Sequence, residues 1–134
     1  MKLRTYLNFA GCCEEAIQYY QAHLGATGVF MMRFSQMPDP SQAPPGMGDK
    51  VLHARFQIAD AELLASDVPQ AEPLRSAYLT LSVSSNEEAE RIYNALADGG
   101  QILMALEETF FAHRYGQVRD RFGMNWMVLH ERAM

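Results

Sequence analysis

The run VLHARFQIAD, residues 51–60, places His53, Arg55 and Gln57 on one face of an alternating strand and Leu52, Ala54, Phe56 and Ile58 on the other. An imidazole titrates near neutrality, so His53 on a polar strand face has the chemistry of a hydrogen-bonding ligand contact or a general base. On a solvent-facing or interface-facing surface the same residue has no chemical role. Further along, Tyr115, Gln117 and Arg119 share one face of RYGQVRD, and Asn125, Met127 and Leu129 share one face of NWMVLHE. Arg119 suits an anionic ligand or a neighbouring carboxylate. The nine methionines suit either an adaptable apolar lining or ordinary core filling.

The remaining reactive residues carry less. Cys12 and Cys13 stand at a helix start, where a thiol can be activated, but Glu14 and Glu15 oppose a thiolate there. As adjacent residues they form no disulfide scaffold. His23 closes a helix, where a cation suits the dipole. His113 falls in the loop-like stretch ETFFAHRYG, and His130 lies close to the end of the chain. The sequence contains no glycine-rich phosphate loop, nucleophile elbow, HExxH or CxxC motif.

Composition narrows the partners. The chain has 134 residues, the length of one domain, with 49% hydrophobic and 20% charged residues, a globular balance. A net charge of -5 with no basic patch argues against nucleic acid. No run approaches the length of a membrane span, and the N-terminus lacks a signal peptide's apolar core, so a cytoplasmic location without membrane attachment is expected.

The elements that must position these residues follow from periodicity. Leu3–Phe9 predicts a strand. A helix follows over 13–24 with a stripe of Ala16, Ile17, Tyr20 and Leu24, stopped by Gly25. Val29–Phe34 predicts a second strand. Residues 35–50 hold four of the six prolines and form a long loop, either a lid or a surface excursion. VLHARFQIAD and AELLASD are the next strands, and VPQAEP reads as a linker. SAYLTLSVS is then a strand. Ser85 and Glu88 have capping-box spacing before a helix striped by Ala89, Ile92, Tyr93 and Leu96 and ended by Gly99 and Gly100. QILMALE, RYGQVRD and NWMVLHE are strands, the last two joined by the turn DRFG.

The order repeats. An offset of 73 carries Glu14, Glu15 and Ala16 onto Glu87, Glu88 and Ala89, and 72 carries Tyr6-Leu7 onto Tyr78-Leu79. The expected fold is therefore α+β. A single domain over 1–134 is built of two β-α-β-β-β modules, 1–70 and 74–134, whose curved mixed sheets enclose a central cleft. An apolar trough with a few polar groups is the default ligand site.

The segments YLNFAGCCEEAIQYY, HARFQIADAELLASD, YLTLSVSSNEEAERIYNALADGG and EETFFAHRYGQVRDRFGMNWMV carry a resemblance over nearly the whole chain. It resembles the vicinal oxygen chelate superfamily of glyoxalases, bleomycin-resistance proteins and extradiol dioxygenases, in its PhnB-like branch. The resemblance implies a homodimer. It also implies one divalent metal held by His, Glu or Gln from the first and fourth strands of each module. Those positions align with Thr5, Leu64, Tyr78 and Met127, none of them an ordinary ligand for such an ion. The weak alternative is His53 with Glu62.

The expected function is thus a small-molecule binding protein of this fold without the metal site, holding an apolar or aromatic molecule. Its pocket candidates are Thr5, Leu7, Phe9, His53, Leu64, Tyr78, Tyr115, Arg119, Trp126 and Met127. No cofactor is expected. The alternatives are a lyase, isomerase or dioxygenase using a single divalent metal on relocated ligands, and a dimeric module with no small-molecule role. Nothing in the residues supports the methyltransferase name attached to some PhnB-like relatives.

Overall fold

The two halves of the chain adopt one element order. In the computed structural model, which describes residues 1–133, the first runs β1 (Thr5–Phe9), α1 (Cys13–Leu24), β2 (Thr27–Arg33), β3 (Val51–Ile58) and β4 (Ala61–Asp67). The second runs β5 (Leu79–Ser82), α2 (Asn86–Ala97), β6 (Gln101–Glu107), β7 (Ala112–Arg119) and β8 (Asn125–Glu131). They form two compact units that divide between Glu72 and Pro73. Each has a four-stranded mixed sheet, ordered β1-β4-β3-β2 and β5-β8-β7-β6, with only the first pair parallel. The class is α+β, as the periodicities predict, and neither sheet closes into a barrel.

In the first unit α1 packs on β3 and β4. Its buried stripe is Cys13, Ala16, Ile17 and Tyr20, while Leu24 is only half-buried. Gly25 takes the left-handed conformation at φ 69°, which lets Ala26 N–H reach the Tyr20 carbonyl at 3.2 Å and close the helix. The Tyr20 ring stacks on Phe56 at 6.4 Å between centroids, so Phe56 marks the helix-facing side of the sheet. Strand register carries that side outward: Phe56 pairs with Leu63 and Leu63 with Thr5, and Ala54 pairs with Ala65 and Ala65 with Leu7. Burying Phe9, Ile17, Tyr20 and Phe56 contributes about 1.5–3 kcal/mol each.

The second unit repeats the scheme. Ala89, Ile92, Tyr93 and Leu96 are all buried, as their spacing predicts. Ser85 Oγ accepts from Glu88 N–H at 3.0 Å. The Glu88 carboxylate reaches Ser84 N–H at 3.2 Å, one residue earlier than a standard capping box. Tyr93 lies over Gly116, whose position would put a Cβ 2.8 Å from the Tyr93 ring and 3.0 Å from Leu106 Cα. Backbone cannot give way as a side-chain tip can. Gly116→Ala is therefore expected to cost about 2 kcal/mol by overpacking, read as a lower urea midpoint at unchanged slope.

Several element bounds differ from expectation. β1 and β5 are shorter than predicted, and β2 and β7 start two residues early, at Thr27 and Ala112. His113 therefore lies in a strand and not in a loop, 4.7 Å ring to ring from His130. The proline-rich stretch is tied at its neck, where Phe34 N–H donates to the Lys50 carbonyl and Ser35 N–H to Gly48, both at 3.0 Å. Between these ties it forms two short 3-10 turns, Phe34–Gln36 and Pro40–Gln42. No helix is long and apolar enough to cross a membrane among the described residues.

Candidate functional site

Because residues paired in register share a face, the helix-free side of the first sheet can be read row by row. One row is Tyr6, Leu64, Arg55 and Phe30; the next holds His53 paired with Met32, alongside Ser66 paired with Asn8. Tyr6 and Phe30 are 45% and 43% exposed, large aromatic areas for strand residues. The Tyr6 hydroxyl lies 3.5 Å from His53 Nδ1, and Ser66 Oγ donates to Asn8 Oδ1 at 3.2 Å. The Arg55 guanidinium lies 5.4 Å from the Phe30 ring centroid, a cation–π contact.

This geometry corrects several candidates. Thr5, Leu7 and Phe9 share the helix-facing side of β1, and the last two are buried in the core. The residue of β1 that stands beside Leu64 on the helix-free side is Tyr6. Trp126 is likewise a core residue, 1% exposed, paired with Val118 beneath α2. Its indole N–H donates to Asp120 Oδ2 at 2.8 Å, so it lines no helix-free surface. Sequence reasoning missed Tyr6 and Phe30, because Leu3–Phe9 and Val29–Phe34 carry apolar residues at both parities. Arg55 was legible from the alternation but not singled out.

The second unit's helix-free face holds Thr80, Met127, Gln117 and Met104 in one row. Gln117 Nε2 donates to the Tyr115 hydroxyl at 2.9 Å, and that hydroxyl donates to the Met127 sulfur at 3.7 Å. Arg119 is held by Asn125 Oδ1 at 2.9 Å, while Asn125 Nδ2 donates to the Leu74 carbonyl. Arg119 therefore braces the strand entry. Tyr78 is half-buried just before β5 begins, and the residue beside Met127 is Thr80.

A second polar cluster sits at the start of α1. Cys12 supplies no side-chain cap. Instead Asp67, 2% exposed at the end of β4, accepts from Cys13 N–H and Val51 N–H, both at 2.9 Å. Beside it is a cavity of about 60 Å³ lined in part by Gly11, Glu14, Asp49 and Lys50. Arg33 grips Glu14 with two bonds of 3.2 and 2.7 Å, and this hydrogen bonding holds the Glu14 carboxyl below the usual range. Lys50 Nζ donates to the Gly11 carbonyl at 2.9 Å. These groups satisfy one another, which reads as structure. Burial, with the Asp67 charge adding, pushes the Cys13 thiol far above its ordinary range. Cys13 is thus expected to resist a disulfide thiol reagent in the native Cys12→Ser variant and to react only on unfolding.

The fit to a divalent metal can be tested on the donor set. In the vicinal oxygen chelate pattern the ligands come from the first and fourth strands of each unit. The resemblance places Leu64 and Met127 on the fourth strands, and register sets Tyr6 beside Leu64 and Thr80 beside Met127 on the same faces. A thioether, a leucine and two neutral hydroxyls do not fit Zn, Mn, Fe or Ni. The alternative pair is not brought together either. Glu62 pairs with Gln57, four residues along β3 from His53, about 13 Å of strand. Glu62 is also taken by Arg4 at 2.8 Å and Lys2 at 3.6 Å, and the Arg4 bond lowers its pKa. No group of three or more His, Cys, Asp or Glu suited to a metal occurs among the described residues.

Comparison with known proteins adds the family context. A family model described as 3-demethylubiquinone-9 3-methyltransferase matches residues 1–129. Protein YjdN of Escherichia coli (strain K12) is 39% identical over 138 residues, covering 96% of this chain and 94% of its own. The crystal structure of protein PA1353 from Pseudomonas aeruginosa is 39% identical, with a TM-score of 0.86 and 99% of each chain covered. A Bacillus cereus PhnB protein, provisionally described as a 3-demethylubiquinone-9 3-methyltransferase, has a TM-score of 0.77. Its 24% identity, over 97% of this chain and 99% of its own, shows the fold alone. A glyoxylase/bleomycin resistance protein/dioxygenase domain from Frankia and a glyoxalase-related enzyme from Fulvimarina pelagi share the fold at still lower identity.

Proposed function

The chain belongs to the PhnB-like family described as 3-demethylubiquinone-9 3-methyltransferase, within the vicinal oxygen chelate fold, and from that membership we propose that it binds a small apolar or aromatic molecule on its helix-free sheet faces without a metal ion. The observation that carries the proposal is the pair of register positions, Tyr6 beside Leu64 and Thr80 beside Met127. Where the superfamily's pattern calls for His, Glu or Gln, this chain offers a phenol, a leucine, a neutral hydroxyl and a thioether. Around them stand a few hydrogen-bonding side chains, His53 and Tyr6 in one unit and Tyr115 and Gln117 in the other. Apolar area with sparse polar groups is the composition of a small-molecule site.

The methyl transfer in the family's description is not part of the proposal. α1 is preceded by Gly11 alone and α2 by Ser84 and Ser85, so neither helix start carries a glycine-rich turn. A homodimer belongs to the same proposal and is read by light scattering. The binding reading is tested by a thermal-shift screen of aromatic and aliphatic compounds, run with and without chelator. Hits that persist in chelator support it. No hit across a broad set contradicts it and favours an interaction module.

A further inference from the structure

Arginines in this protein are mostly tied to carboxylates. Arg4 meets Glu62, Arg33 meets Glu14, Arg114 meets Glu90, Arg121 meets Asp98 and Arg132 meets Glu108, all within 3.3 Å. Arg55 is different. It stands mid-row on the helix-free face of the first sheet, between Leu64 and Phe30 in register, and has no carboxylate partner among the described residues. Its guanidinium lies over the Phe30 ring, 5.4 Å from the centroid. The sole carboxylate on that face, Glu62, is already held by Arg4 and Lys2. In a chain of net charge -5 this leaves a cation without a counter-charge, set on a surface of exposed aromatic rings.

Such a fork favours a planar, bidentate anion, and its weak hydration lets it work beside apolar groups. Tyr6 and Leu64 on one side and Phe30 on the other supply the apolar area. His53, within 3.5 Å of the Tyr6 hydroxyl, adds polar groups in the next row. We propose that this face takes an oxyanion, carboxylate or phosphoryl, carried on an aromatic or apolar body, with Arg55 as the anion's partner. The inference rests on the binding function proposed above and specifies the class of its ligand. Stacking on Phe30 already orients the guanidinium, so little side-chain freedom is lost when the anion binds.

The test uses three probes of one shape on the full chain: 1-naphthoate, 1-naphthyl phosphate and neutral 1-naphthalenemethanol, titrated by calorimetry at low and moderate salt. The acids are expected to bind about tenfold or more tightly than the alcohol, as a charge-assisted bidentate contact requires. Arg55→Gln should erase that difference and leave the alcohol's affinity unchanged. Arg55→Lys should restore part of it, and Arg132→Gln, at a carboxylate-paired arginine, should keep it whole. The tighter of the two acids identifies the anion as carboxylate or phosphoryl. If the alcohol binds as well as the acids, the anion assignment falls while the binding function stands. An acid preference that survives Arg55→Gln also overturns it. Absence of binding by all three probes overturns the assignment and counts against the function beneath it.

Discussion

Replacing Asp67 with alanine is expected to cost the protein about 3 kcal/mol, because two buried backbone donors lose a charged acceptor at once. Those donors are Cys13 N–H, the first of α1, and Val51 N–H, the first of β3. An uncapped helix start needs a partner for its free N–H groups. Here the partner comes from a strand end 54 residues away, since Cys12 does not supply one. Asp67→Asn keeps one acceptor oxygen and should lose roughly half as much. Urea denaturation measures both losses. Hydrogen exchange should show faster opening of α1 and of the β3 start in the alanine variant, with α2 unchanged.

Asp120→Ala is expected to cost about 3–4 kcal/mol, since Asp120 is 3% exposed and serves three donors. Its carboxylate accepts from Phe122 N–H at 2.9 Å, Met124 N–H at 3.0 Å and the Trp126 indole at 2.8 Å. One side chain thus folds the DRFG turn and fixes the largest buried ring of the second unit. Trp126→Phe removes only the indole bond and some volume, so it should cost less than Asp120→Ala. Equal losses would mean that the turn contacts contribute nothing. Tryptophan emission, from the single Trp126, reports the unfolding transition directly in the Asp120 variant.

What could be read from the sequence was local. The stripe of α2, most of the stripe of α1 and the bounds of β8 follow from spacing within a dozen residues. The alternation of β3 likewise put His53, Arg55 and Gln57 together on the polar face, where the structure has them. What escaped was non-local. The residues TYLNF are apolar at both parities, so only pairing with β4 decides that Leu7 and Phe9 face the helix and Tyr6 does not. The same pairing moves the metal-equivalent place from Thr5 to Tyr6. Asp67 as a remote cap, the bracing of Arg119 by Asn125 and the separation of His53 from Glu62 depend on which strands become neighbours. Trp126, a pocket candidate from the sequence, is a core residue, and its bond to Asp120 explains how a buried indole satisfies its N–H.

The central claim is that the superfamily's metal places have been given over to groups that do not hold an ion. Elemental analysis tests it most directly, on protein purified from a culture supplied with Zn, Mn, Fe and Ni, before and after a chelator. Metal far below one ion per chain is predicted, with the melting temperature and the naphthoate-induced shift unchanged by chelation. One ion per chain, removed together with thermal stability or with ligand binding, would contradict the account.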